Sequence, residues 1–277
     1  MRGCGVRLAI AAVVVVLAAV VVVVVVFSRG GEVRTPGCTV SLPPPAADQE
    51  APQYTLQPQQ MDNAAVIAAV AGKEGLPAHA VTVALATALQ ESKLRNLSGG
   101  DRDSVGLFQQ RPSQGWGTPA QLQDPVYAAT AFYRRLAKLP GWQSMPITEA
   151  AQEVQRSGAP DAYAQWETVA AAAAAALTGQ YPAALTCRNI AVGQPEVDLV
   201  DTANAELGTA RLSGAHPADE GWRIGSWLVA RSAALGVDKV SFAGQTWTSE
   251  SGAWAADPEA GQNLSLHQVP AGATSSG

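Results

Sequence analysis

The sequence predicts a mainly α domain, preceded by one transmembrane helix and followed by a small α+β domain. Three observations carry this expectation. A twenty-residue run near the amino terminus has no charge, and a long middle region repeats its apolar residues every three or four positions between proline and glycine stops. After Cys187 the texture changes to tryptophan-rich segments, one helical and one alternating. The expected division is a cytoplasmic tail 1–7, a membrane anchor 8–27, a Pro-rich linker 28–60, a helical domain 61–187, a linker 188–199, an α+β domain 200–270 and a disordered tail 271–277.

The first run, Leu8–Phe27, reads "LAIAAVVVVLAAVVVVVVVF", long enough as a helix to cross about 30 Å of hydrocarbon. A cleaved signal peptide has a shorter apolar region, about 7–15 residues, and an A-x-A-like site, which "SRG" does not supply. The expectation is therefore a retained single-pass anchor. Arg2 and Arg7 precede the span, whereas Arg29 and Arg34 follow it with Glu32 between them, which favours a cytoplasmic amino terminus. One featureless valine span does not make a transporter, which needs several spans and polar groups along a path.

The chain as a whole is weakly acidic, with a formal net charge of -5 and a pI near 5.2 over 277 residues. Its arginines and lysines are scattered, so no basic stripe is available for nucleic acid. Cys38 and Cys187 flank the middle region, and neither C-x-x-C nor a Cys/His cluster points to metal; they are expected to form a disulfide in an oxidising compartment, with Cys4 left unpaired. Closing so long a loop stabilises by about 4–5 kcal/mol on chain-entropy grounds.

Along the middle region, Ser41–Gln60 is Pro- and Gln-rich and reads as a linker or a wrap on the next domain. "MDNAAVIAAVAGKEG" then offers Asp62 as an N-cap and Gly72 as a stop. "LPAHAVTVALATALQES" enters at Pro77 and brings Glu91 to its last turn. Asp124 caps a helix that begins at Pro125 and stops at Pro140–Gly141, and Ala170–Ala176 is a strong helix former closed by Gly179. His79, at a helix start, is expected to be structural. Beyond Cys187, "GWRIGSWLVARSAALGV" reads as a helix stopped by Gly236, and "KVSFAGQTWTS" as a hairpin turning at Gly244. Trp222, Trp227, Trp247 and Trp254 are expected to form a core, with a sugar-stacking face as the alternative.

The chemistry concentrates in "ALQESKLRNLSGGDRDSVGLFQQRPSQGWG", Ala88–Gly117. A carboxyl at the end of an apolar helix is placed to deliver a proton, and Glu91 is the candidate general acid. The loop after it offers Ser104, Gln109 and Gln110, whose hydroxyl and amides suit the hydroxyl and N-acetyl groups of a sugar chain. Cleavage of a glycosidic bond by water also needs a second carboxylate, for which Asp101 and Asp103 are the candidates.

"ALQESKLRN" followed by "SVGLFQQRPS" resembles the E-S and G-L-M-Q signature of the soluble lytic transglycosylase and goose-type lysozyme-like family, over about Met61–Gln180. The resemblance implies a lysozyme-like domain that cleaves the MurNAc–GlcNAc β-1,4 linkage of peptidoglycan at the outer face of the membrane. It implies Glu91 as the acid, Ser92 as the serine beside it, and Gly106, Leu107 and Gln109 as the G-L-M-Q element, with Gln109 contacting sugar. In such transglycosylases the same glutamate next acts as base on the C6 hydroxyl of MurNAc, giving a 1,6-anhydro product, and no cofactor or metal is called for. The chain departs from the family at A-Y-N-A-G, where Val154–Gly158 reads "VQRSG"; Gln155, or Tyr163 from the next segment, is the expected substitute. That departure keeps a catalytically inactive glycan-binding or scaffold protein of wall assembly as the alternative, with wall-assembly proteins as partners. The C-terminal segments resemble a small domain related to zinc D-Ala-D-Ala carboxypeptidases. His216 and His267 lack the spacing of that family's ligands, so a metal-free binding module is expected.

Overall fold

A computed structural model of the chain describes residues 35–46 and 48–272. The described residues from Pro36 onward form one compact unit. Strand β1 (Gly37–Ser41) is paired antiparallel with β2 (Gln53–Leu56) on one side and β3 (Leu185–Arg188) on the other, giving the order β2-β1-β3. The register sets Cys38 opposite Cys187, and the two form a disulfide across 149 residues of sequence. Both cysteines are fully buried, with Val40 and Leu185 beside them in the same core.

Between these strands lie α1 (Pro58–Lys73), α2 (Ala78–Ser92), α3 (Pro119–Leu122), α4 (Pro125–Leu136), α5 (Ile147–Gln155) and α6 (Glu167–Leu177). Every residue of α2 from Ala80 to Leu89 is buried, so it is the central helix and is apolar all round for that reason. It packs against α6, α5, α1 and α4. The alanine run of α6 has side chains too small to hold α2 away, which permits the close approach. Helix α4 starts as the sequence predicts: Asp124 accepts the Val126 N–H at 2.9 Å, and Pro125 sits where no donor is needed.

Helix α1 differs. It begins at Pro58, earlier than the start after Asp62 that the sequence suggests, and Gln60 Oε1 accepts the Gln57 N–H at 2.9 Å. Asp62 is thereby an interior helical residue and not a cap. It faces Arg231, whose guanidinium lies 3.4 Å from Asp62 and 3.2 Å from Glu206. Glu206 in turn accepts the Trp227 indole N–H at 2.7 Å. Burial pushes both carboxyls above their ordinary range, against the pull of the one guanidinium they share.

The carboxy-terminal third supplies α7 (Leu199–Leu207), α8 (Ala218–Ala230), α9 (Ser232–Leu235) and a second antiparallel sheet in the order β6 (Trp254–Ala256), β5 (Gln245–Thr248), β4 (Val237–Phe242), β7 (Ser265–Gln268). The predicted hairpin is β4–β5, where Phe242 pairs with Gln245 and the two linking residues, Ala243 and Gly244, both have positive φ, as a tight primed turn requires. Trp222, Trp227 and Trp247 are buried, and Trp254 packs edge-on against Trp222 and donates to the Leu185 carbonyl at 2.9 Å. The tryptophans are therefore core.

The expected architecture, a mainly α lysozyme-like domain behind a transmembrane helix, needs correction. The described residues are about 45% helical with two small antiparallel sheets, which makes them mixed α and β. Among the described residues no helix is long and apolar enough to cross a membrane. The span expected at Leu8–Phe27, the tail before it and Cys4 lie outside the described residues. The first sheet escaped prediction because its strands are four or five residues long and its partners lie far apart in sequence.

Candidate functional site

Helix α2 ends abruptly after Ser92, because Lys93 and Leu94 both adopt the left-handed conformation at φ 56°. Each such non-glycine residue costs roughly 1–2 kcal/mol unless its surroundings hold it. Helix α1 does so: Gln60 Nε2 donates to the Lys93 carbonyl and the buried Asn63 Nδ2 to the Leu94 carbonyl, both at 2.8 Å. The chain then turns away, leaving Glu91 partly exposed on the last turn of a buried helix.

Opposite Glu91 stands Tyr163, fully buried on the 3-10 segment Pro160–Trp166, and its hydroxyl donates to Glu91 Oε1 at 2.8 Å. Burial, first of all, and then the neighbouring Glu91 charge push the phenol above its ordinary value, so it stays a proton-bearing donor. Next along the same segment, the Trp166 indole N–H donates to Gln90 Oε1 at 2.8 Å, and the Lys93 ammonium lies 4.3 Å from the Trp166 ring centroid.

The loop after α2 is closed by mutual backbone bonds between Val105 and Gln110, at 3.0 and 3.1 Å. Ser92 Oγ donates to the Leu107 carbonyl at 2.6 Å from one side, and Gln155 Nε2 donates to the Phe108 carbonyl at 2.8 Å from the other. Gly106 has φ 80°, and a Cβ there would stand 2.3 Å from the Leu122 carbonyl oxygen, so only glycine fits. Phe108 stacks on Phe132 with ring centroids 4.8 Å apart.

The structure thus brings Glu91 and Tyr163 together and assigns other duties to most of the remaining candidates. Gln155 anchors the loop from α5. Gln110 is buried and donates to the Ala128 carbonyl at 3.1 Å, and Ser104 is buried with its N–H on the Asp101 carbonyl. Gln109 remains partly exposed on the loop, its Nε2 donating to the Gly106 carbonyl at 3.1 Å. Asp103 accepts from Arg111 Nε at 2.8 Å, from the Ser113 N–H at 2.7 Å and from Ser113 Oγ at 3.0 Å. The Arg111 bond above all, with the Ser113 bonds, holds its carboxyl well below the usual range. Asp101 is exposed, with the Arg102 guanidinium 3.8 Å away.

Sequence reasoning missed Gln60, Asn63, Gln90 and Trp166. Gln60, Asn63 and Trp166 lie on other segments, Gln90 stands beside Glu91 but reads as an ordinary polar helix residue, and none of the four carries a local signal of its contact. His216 lies 3.5 Å from Glu220 and His267 2.6 Å from Asp238, and among the described residues no group of three or more His, Cys, Asp or Glu is placed to hold a metal. A surface cavity of about 480 Å³, lined by Tyr54, Gln60, Lys93, Arg95 and Trp166, adjoins the end of α2. Compared with known proteins, the chain matches no protein-family model, and no curated protein matches it.

Proposed function

We propose that the protein is a peptidoglycan-cleaving enzyme of the lytic transglycosylase or muramidase kind, with Glu91 as the general acid and base. The observation that carries the reading is the contact between Glu91 and Tyr163. A partly exposed carboxyl at the end of an apolar helix is oriented by a buried phenol that donates to one of its oxygens at 2.8 Å, while the other oxygen carries the proton to be delivered. The E-S and G-L-F-Q motifs support the same reading, since Ser92 binds the backbone of the loop that carries Gln109. Tyr163 takes the place that the resemblance reserves for the A-Y-N-A-G tyrosine, although it comes from the following segment.

In this scheme Glu91 protonates the glycosidic oxygen as the bond to the leaving sugar breaks. The resulting carboxylate then accepts the proton of the MurNAc C6 hydroxyl, which closes on C1 and gives a 1,6-anhydro end. Water-based cleavage is less favoured, because the oxygens of Asp103 are occupied by Arg111 and Ser113 and Asp101 is fully solvated. The Cys38–Cys187 disulfide supports action in an oxidising, extracytoplasmic compartment where the wall polymer lies.

The test compares the full-length chain with Glu91→Gln on labelled peptidoglycan and analyses the products by mass spectrometry. Anhydro-ended fragments from the parent and none from the variant are expected. Equal inactivity of both with binding retained supports the glycan-binding scaffold instead, and purely reducing ends reject the anhydro route.

A further inference from the structure

A second cavity, of about 470 Å³, opens on the other side of the loop that Gln155 anchors. It is lined by Gln114, Arg135, Lys138, Glu153, Gln155 and Arg156. Three cations thus face one carboxylate in a chain whose net charge is -5. Among the described residues, none of the three cations forms an ion pair. Arg135 is fixed in place: it lies 3.4 Å from the Trp116 ring centroid and donates to the Gln114 carbonyl at 3.2 Å. Burial, and then the repulsion of Arg156, lower its affinity for its proton, as expected of two like charges lining one cavity.

We propose that this cavity binds a carboxylate, as borne by an acidic peptide substituent of the glycan strand. Arg135, Lys138 and Arg156 receive the carboxylate. The assignment of the ligand to the wall polymer rests on the function proposed above; the binding chemistry does not. Gln155 links the two sites, since its Nε2 holds the Phe108 carbonyl one residue from the carbonyl that Ser92 holds. Engagement of the peptide would then steady the loop in front of Glu91.

The full-length chain is titrated by calorimetry with N-acetyl-L-alanyl-D-glutamate, with its diamide and with inorganic phosphate. Binding of the diacid is expected, with the diamide weaker by roughly tenfold or more, the loss of one charge-assisted contact. The double variant Lys138→Met/Arg156→Gln is expected to weaken the diacid by a similar factor at an unchanged melting temperature, and Arg156→Lys to retain part of the affinity. Equal binding of diamide and diacid, undiminished binding by the double variant, phosphate binding without peptide binding, or no binding at all overturns the proposal. Peptide binding by a protein that leaves glycan uncut sinks the enzymatic reading and leaves this one standing. Cleavage of glycan without any peptide binding does the reverse.

Discussion

Replacing Tyr163 with phenylalanine removes one oxygen and almost nothing else. The ring is fully buried, so its packing persists; the lost hydroxyl donates to Glu91 Oε1 at 2.8 Å and has the Ser157 hydroxyl as a further side-chain neighbour. A hydrogen bond to a charged group contributes about 1.5–3 kcal/mol when both partners are sealed from water. Glu91 is partly exposed, so its freed oxygen rehydrates, and the expected loss of stability is only about 1 kcal/mol, a fall in melting temperature of roughly 2–4 °C. The effect on cleavage is larger, because the carboxylate loses the contact that aims it; kcat is expected to fall about tenfold with KM nearly constant. Tyr163 acts through Glu91, as a positioning residue. Adding Tyr163→Phe to Glu91→Gln should therefore change the residual activity by less than about twofold. Thermal melts and product release from labelled peptidoglycan for the four proteins of this cycle provide the measurement. Full activity in Tyr163→Phe, or losses that multiply in the double variant, refutes the reasoning.

Other perturbations probe the supports of the site. Gly106→Ala sets a Cβ against the Leu122 backbone at a positive φ; the strain is about 1–2 kcal/mol before any backbone shift, and a drop in urea-unfolding free energy at least that large is expected, so a neutral result refutes the packing argument. Cys38→Ser/Cys187→Ser opens a loop of 149 residues, for which chain entropy gives about 5 kcal/mol and a melting temperature roughly 10–20 °C lower; a change within a few degrees shows that the sheet alone closes the loop. Glu206 has its folded-state proton affinity raised by burial, so the native protein binds more protons than the unfolded chain above the ordinary glutamate value of 4.5. Its contribution to stability is present at low pH and declines as pH rises through that window; Glu206→Gln, which keeps an acceptor for Trp227, should flatten the slope of unfolding free energy against pH, and parallel curves for the two proteins contradict the assignment.

Several parts of this structure were written in short stretches of the chain. Asp124–Pro125 start a helix because a side-chain oxygen and a residue without a donor satisfy its first turn, and Ala243–Gly244 reverse a hairpin because two adjacent residues accept positive φ. Glu91 was placed on the last turn of a helix by apolar spacing alone. Asp62 misled for the same reason, since an aspartate before an apolar run looks like a cap wherever it stands; Pro58 starts the helix earlier and turns Asp62 into a partner for Arg231.

Residue identity and local periodicity thus established most helices of the middle region, the hairpin, the pairing of Cys38 with Cys187 and the position of Glu91, because each rests on forces acting over a few residues or on which two of the three cysteines flank the middle region. Folding in three dimensions settled the sheet around the disulfide, the duties of Gln110, Gln155 and Asp103, and the approach of Tyr163 to Glu91 across 72 residues of sequence. An amide or carboxyl looks the same in a sequence whether it meets a substrate or a backbone carbonyl. Which of these it meets depends on the groups that packing brings within 3 Å, and those come from distant parts of the chain.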